Sequence, residues 1–398
     1  MNMKKTQILF TVGLTSLVLS VIFILITIIS PKKTETIIIK EQNTPVEFSG
    51  PVNTNNYFDF SSASEKATKA VVHIKSSIEK TKNESNRIEF NPFDFDPFGG
   101  GWGFFDAPSK PSSGMGSGVI ISEDGYIITN SHVVQGFDKF EVTLNDSRLF
   151  DAELVGKDPS TDIAVLKIKQ KNLNYLNFSN SDLVKVGQWV LAVGNPLDLK
   201  STVTSGIISA KARNINILRG EKFSVESFLQ TDAAVNQGNS GGALVDIFGN
   251  LIGINTAIAS RSGGYEGYSF AVPSNIANKV CSDLIEYGAV QRALLGVFIQ
   301  ELNPDLCKKF DLDKDIRGIY ISGYTSNSTA EKNGIKEGDV MQKIDGSIIN
   351  TIPQLQEKLL QKNPGDYINV EVLRKGKSKT LKVKLMSLEE ASEVMQKS

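Results

Sequence analysis

The sequence predicts a mainly β chain: a large domain of short strands in a sandwich or barrel, then a smaller α+β unit, with a membrane-crossing helix ahead of both. Three observations predict it. Runs rich in Val and Ile recur from "SGVIISEDGYIITNSHVV" to "GYSFAVP", separated by Gly, Asn, Asp and Pro turns, a spacing that suits a sandwich or barrel and not a parallel α/β sheet. From residue 289 strand and helix patterns alternate over about 100 residues, enough for one more compact domain. Finally, the 23 residues Ile8–Ser30 carry no charge and are flanked by Lys4, Lys5, Lys32 and Lys33.

As a helix, Ile8–Ser30 would span about 34 Å, enough to cross a bilayer. Its exit, "LITIISPKK", has no small-residue cleavage pattern, which favours an uncleaved anchor over 1–30 against a signal peptide. Residues 31–60 are polar and interrupted by Pro45 and Pro51, and read as a linker. His73 lies in the apolar strand "AVVHI" and reads as a packed core histidine. Between 90 and 105 Phe and Trp alternate with Pro and Gly; that density of breakers forbids a regular element, so an aromatic contact loop or lid is expected. Glu123-Asp124-Gly125 joins two β-branched runs as a hairpin. More strands are expected at "KFEVTL", "DAELVG", "IAVLKI", "WVLAVG", "TVTSGIISA" and "ALVDIFGNLIGINTAI". Ser274 reads as the N-cap of a helix that buries Ile276, Val280, Cys281 and Leu284 and stops near Gly288. That helix closes a domain over 61–288. The second domain, 289–387, carries strands at "LGVFIQ", "GIYISGY", "INVEVLR" and "TLKVKL" and a helix near 352–362, and 388–398 form a tail.

Composition excludes several classes of function. The chain of 398 residues has 43 basic and 44 acidic side chains, a formal charge of −1, so no basic field gathers nucleic acid. Two His and two Cys cannot build zinc-finger sets or His-rich clusters, and no metal or cofactor is expected. Cys281 and Cys307 could pair or remain buried thiols.

The sharpest chemical feature is "GNSGG", Gly238–Gly242. Flanking glycines let the backbone approach a ligand, expose the Ser240 hydroxyl, and allow neighbouring N–H groups to converge on an oxyanion. An α/β-hydrolase elbow would need a His after the Ser, and none follows His132. What remains is the order His, Asp, Ser found in chymotrypsin. His132, in "TNSHVV" at the end of the hairpin's second strand, suits a general base near neutral pH. Asp162, in "STDIAVLKI", can hold the imidazole tautomer, with Asp158 the competing carboxylate.

Together "TNSHVV", "DPSTDIAVLKI", "GNPLDL" and "LQTDAAVNQGNSGGALVD" resemble the HtrA (Deg) family of PDZ-bearing serine proteases. The resemblance runs over most of residues 60 to 385. It implies a trypsin-like double β-barrel protease domain followed by one α+β PDZ domain. It further implies a catalytic triad of His132, Asp162 and Ser240, and an oxyanion hole from the backbone at Gly238, Asn239 and Ser240. Gln237 departs from the family's usual Pro. By position six before the nucleophile, Ala234 would floor the substrate pocket and Ile258 would lie on another wall, favouring small or medium apolar side chains. Asn239 stands where digestive relatives carry the Asp that pairs with a freed N-terminus. In the PDZ unit, Leu294, Leu295, Gly296 and Val297 would form the loop that receives a peptide carboxylate. The implied protein is a membrane-anchored endopeptidase acting extracytoplasmically on unfolded or misfolded proteins, gated by peptide C-termini, and a homotrimer.

Overall fold

The computed structural model describes residues 59–78, 113–196, 201–215, 217–218, 224–236, 238–258, 266–310, 312–325 and 328–392. The anchor expected over 1–30, most of the linker over 31–60, the aromatic loop of 90–105 and Gln237 lie outside them. Among the described residues, no helix is long and apolar enough to cross a membrane.

A short helix α1 (Ser61–Thr68) leads into β1 (Val71–Ser77), β2 (Ser113–Ile120) and β3 (Tyr126–Thr129). The single turn α2 (Ser131–Val134) follows, then β4 (Lys139–Thr143), β5 (Leu149–Asp158) and β6 (Ile163–Ile168). These six strands close into a barrel in the order β1-β2-β3-β6-β5-β4. A second barrel repeats that connectivity with β7 (Trp189–Gly194), β8 (Thr202–Arg213), β9 (Phe228–Thr231), β10 (Ala243–Asp246), β11 (Leu251–Ile258) and β12 (Ser269–Pro273). Strand spacing left a sandwich or a barrel open, and the chain takes the double barrel that the family resemblance implies.

Closure explains why several strands read as unbroken apolar runs. In a barrel, successive side chains point alternately into the lumen and outward, and here the outward face also packs. Val72 and Ile127 fill the first barrel, while their neighbours Val71 and Ile128 join Val119, Val193 and Ile254 in the core between the barrels. Each such side chain, once buried, contributes roughly 1.5–3 kcal/mol. The Asp-Gly hairpin forms as expected, with Val119 opposite Ile128 and Ile120 opposite Ile127.

Three local expectations need correction. The run "ALVDIFGNLIGINTAI" is two strands, β10 and β11, paired antiparallel after the turn closed by Gly249 N–H on Asp246 O. Strand β9 was not anticipated, because its four residues "FLQT" are all buried and lack alternation. The helix α3 (Ser274–Tyr287) begins at Ser274 itself; Pro273 is the N-cap, and the Ser274 hydroxyl instead donates to Ser179 O at 2.5 Å. The face that α3 buries is the expected one, and it ends at Gly288, whose N–H bonds Leu284 O. Cys281 and Cys307 are buried free thiols, and burial pushes the Cys281 thiol far up.

The second domain runs through β13 (Ala293–Leu294), β14 (Val297–Glu301), α4 (Pro304–Lys309), β15 (Ile319–Tyr324), α5 (Thr329–Lys332), β16 (Val340–Ile344) and β17 (Ser347–Ile348). It continues with α6 (Ile352–Leu360), β18 (Tyr367–Arg374), β19 (Lys377–Lys384), β20 (Met386–Ser387) and α7 (Leu388–Ser392). Its main sheet has the order β14-β15-β16-β18-β19, so β14 is an edge strand. A capping box, Thr351 with Gln354, starts α6.

Helix α6 also seats this domain on the first. Leu360 enters the core between the barrels and α3, Gln356 donates to Ser224 O at 3.0 Å, and Lys358 pairs with Asp182 at 2.6 Å. The Ser227 hydroxyl donates to Glu357 at 2.6 Å. Burial holds the Glu357 carboxyl above its usual 4.5, against the Ser227 bond and the nearby Lys358 and Lys211 charges, with Asp182 adding to the rise. An ionised Glu357 is thus a net cost of docking. Glu357→Gln, which keeps an acceptor for Ser227, is expected to raise the melting temperature at pH 7 to 8. The gain should shrink as pH falls through the raised folded-state value and vanish well below 4.5, where the native carboxyl is neutral in folded and unfolded chains alike. Thermal scans across pH check it.

Candidate active site

The site lies where the two barrels meet. The tight turn Asp158–Asp162 ends with Asp162 N–H on Pro159 O at 3.2 Å, and Asp162 takes a left-handed φ of 56°, which Asp tolerates better than most residues. Its backbone carbonyl accepts Ser131 N–H at 3.1 Å and Asn130 Nδ2 at 2.9 Å. These bonds tie the turn to the start of α2. Asp158, the competing carboxylate, faces elsewhere: it accepts Ser160 and Thr161 hydroxyls and pairs with Arg292 at 2.7 Å.

His132 is carried by the one-turn helix α2, just past the strand end where it was expected. Its backbone N–H donates to Asp162 Oδ1 at 3.0 Å and its Nδ1 lies 2.9 Å from Oδ2. The carboxylate holds the proton on Nδ1 and leaves Nε2 as the basic nitrogen. Burial alone would lower the imidazole pKa; the Asp162 charge and hydrogen bond outweigh it, so the ring sits above its usual 6.5. Sequence reading missed Thr256, two residues before Ile258 on the same strand. Its hydroxyl donates to Asp162 Oδ2 in a short bond, and its carbonyl receives Ser240 Oγ at 3.5 Å. A hydroxyl beside Asn255 in the otherwise apolar strand "LIGINTAI" was the available signal. At 3.5 Å the Ser240 contact is at the limit of hydrogen bonding, so little is lost when the hydroxyl turns to a base.

The turn Gly238–Gly242 shows a pattern that local sequence could not supply. Asn239 N–H donates to Asn236 O at 3.0 Å, Gly241 N–H to Asn255 O at 2.8 Å, and Gly242 N–H to Asn239 O at 2.9 Å. The N–H groups of Gly238 and Ser240 have no acceptor among the described residues. Asn239, expected among the oxyanion donors, is therefore spent on the turn, and the two free donors flank it. Gly241 is required: φ is +83°, and a Cβ there would collide with the Ser117 carbonyl oxygen.

Ala234 is half-buried, with its carbonyl accepting the Thr204 hydroxyl at 2.7 Å. Ile258 ends β11 opposite Ser269; its side chain lies outside the described residues. In the second domain Leu294 ends β13 opposite Met386, and Val297 opens β14. Leu295 is buried in that domain's core, so its side chain cannot line a surface and only its backbone could meet a ligand. Gly296 O accepts Thr325 N–H at 2.9 Å, which fixes the loop before β14. Among the described residues, no cluster of His, Cys, Asp and Glu is arranged to hold a metal.

A trypsin-like peptidase domain model matches residues 116–254 and a PDZ domain model matches residues 293–385. A probable periplasmic serine endoprotease, DegP-like, from Chlamydia pneumoniae is 43% identical over 332 residues, covering 80% of this chain and 66% of that protein. The periplasmic pH-dependent serine endoprotease DegQ of Escherichia coli (strain K12) is 40% identical, covering 81% and 69%. This chain thus spans about two-thirds of the length of these curated relatives. Among solved structures, the HtrA-type protease AlgW with a decapeptide aligns at a TM-score of 0.59 and 39% identity, over 83% of this chain and 98% of that one.

The His132–Asp162 pair has a direct test. In an NMR titration the His132 ring should protonate above 6.5. In Asp162→Asn the influence that raises it is gone and burial remains, so its midpoint should fall below 6.5. An unchanged midpoint would contradict the geometry.

Proposed function

The chain belongs to the HtrA family of PDZ-bearing, trypsin-like serine proteases, and from that premise we propose that it is a serine endopeptidase acting on unfolded or misfolded proteins outside the cytoplasm. The observation that carries this reading is the pair of N–H groups, Gly238 and Ser240, that meet no acceptor among the described residues, beside a serine whose neighbour Thr256 also bonds the aspartate that holds His132.

In the proposed reaction Ser240 Oγ attacks the scissile carbonyl carbon while His132 Nε2 takes its proton. The carbonyl oxygen, now anionic, accepts hydrogen bonds from Gly238 and Ser240 N–H. Asp162 stabilises the imidazolium, which then gives its proton to the leaving amine as the C–N bond breaks. Water, deprotonated by His132, attacks the acyl ester, and as its C–Oγ bond breaks His132 passes that proton to Ser240 Oγ. Ala234 offers no charge to a substrate side chain, so the pocket takes small or medium apolar residues. Such a pocket discriminates weakly, and flexible exposed segments become the preferred substrates.

The second domain is proposed to bind peptide C-termini. Its strand β14 is a sheet edge, which can take an added peptide strand, and the start of α6 is fixed beside it by Ile352 N–H on Glu301 at 3.1 Å. Residues 294–297 lead into that edge and supply the carboxylate loop. The uncharged stretch Ile8–Ser30 supports an N-terminal anchor, with the catalytic part on the periplasmic side of the inner membrane. Family membership supports a homotrimer.

The chain without residues 1–30 should degrade an unfolded protein, and peptides ending in apolar carboxylates should accelerate it. Ser240→Ala should lower the rate by about 10⁴-fold or more. An inactive parent that still suppresses aggregation of the unfolded protein would replace the protease with a holdase.

A further inference from the structure

Ser117 belongs to the first barrel and lies outside the proposed triad, yet it holds the nucleophile's turn at two points. It is fully buried on β2. Its N–H donates to Ser240 O at 2.8 Å, and its hydroxyl donates to Gly238 O at 2.6 Å. The same hydroxyl accepts Asn195 N–H at 2.8 Å. Asn195 O in turn meets Nδ1 of the buried His73 at 3.0 Å, which gives that histidine a place in the same chain of bonds. The Ser117 oxygen is thus occupied on each side, and its proton has one direction. Its own carbonyl accepts the Thr129 hydroxyl at 2.7 Å and abuts Gly241.

Oxyanion donors work because they are aimed before charge develops. An N–H without an acceptor has nothing of its own to aim it; its direction follows from the peptide planes around it. Gly238 has no side chain, a φ of 94°, and a neighbour, Pro196, that a Cβ would approach to 2.6 Å. Among the described residues, its carbonyl is anchored by the Ser117 hydroxyl. Fixing the carbonyls of Gly238 and Ser240 from one rigid strand fixes the peptide planes that follow the two free donors. We infer that Ser117 is a positioning residue for the oxyanion hole, holding the Gly238 and Ser240 N–H groups toward a common point before substrate arrives.

The inference rests on the endopeptidase reading, and the two fail separately: a parent no more active than Ser240→Ala removes that reading and this one with it, whereas an active parent with an unaltered Ser117→Ala removes only this one. Rates are taken per active site, titrated with a fluorophosphonate. Losing one oxyanion donor outright costs about 10²–10³ in kcat. Ser117→Ala, which loosens donors without deleting them, should lower kcat by about 10–100-fold and slow phosphonylation similarly, with KM within about three-fold. Ser274→Ala removes another buried hydroxyl-to-carbonyl bond, Ser274 to Ser179; it should lower the melting temperature and leave kcat unchanged. Ser117→Cys fills the same space with a weaker donor and should fall between Ala and the parent. A folded Ser117→Ala with kcat within two-fold of the parent, an equal kcat loss in Ser274→Ala, or a folded Ser117→Cys as active as the parent would each overturn the inference.

Discussion

Asp162 keeps its backbone in a left-handed conformation while its carboxylate, 5% exposed as a residue, accepts the His132 N–H, the His132 ring and the Thr256 hydroxyl. An ionised carboxylate in such a place is stable only when its hydrogen-bonding capacity is met. The three donors come from α2 and from β11, one in each barrel, so satisfying the charge also sets how the barrels meet. The turn that presents Asp162 is pinned in addition by Asn130 and Ser131. Removing the charge would loosen the imidazole and one of the links across the cleft together.

The cleft between the barrels is polar although the barrels' outer faces pack as core on its far side. Thr129, Asn130, Ser131, Asn195, Asn239 and Asn255 are all buried there. Thr129, Asn130 and Asn255 bond backbone within their own barrels, at Ser117 O, Asp162 O and Ala243 O, while the Ser117 hydroxyl on Gly238 O and the His73 ring against Asn195 O cross the seam. Side chains that bond backbone of the opposite segment register two barrels more sharply than apolar packing does, because a hydrogen bond is lost within a few tenths of an ångström and by rotation. A site assembled from loops of two domains needs that sharpness.

The second domain is joined to the first through α6 and through Arg292. Arg292 pairs with Asp158, in the same turn that ends with Asp162. Glu357 and Gln356 hold the segment Ser224–Ser227, and Val225 N–H donates to Ser160 O at 2.9 Å. Two of the second domain's docking routes, through Arg292 and through the segment Ser224–Ser227, therefore end on the turn that carries the catalytic carboxylate in the proposed mechanism.

Sequence alone determined the broad architecture, because barrel strands announce themselves by β-branched runs and turn residues, and these are local. It also singled out His132 and Ser240, since few His were available and the glycines around Ser240 suit a backbone that must approach something closely, and the family resemblance added Asp162. Strand spacing alone left a sandwich and a barrel open, and local sequence left Asp158 beside Asp162, because closure and carboxylate direction depend on partners far along the chain; the family resemblance pointed to the double barrel and to Asp162. Strand β9 escaped notice for the same reason, its polar Gln230 and Thr231 being buried by barrel closure and not by a local pattern. The tertiary structure alone decided that Asn239 N–H is consumed by a turn while, among the described residues, Gly238 and Ser240 N–H meet no acceptor, and that Ser117, 123 residues before Ser240, holds them. Hydrogen bonds between segments so far apart leave no periodicity in the sequence; they exist only once two barrels have closed and met.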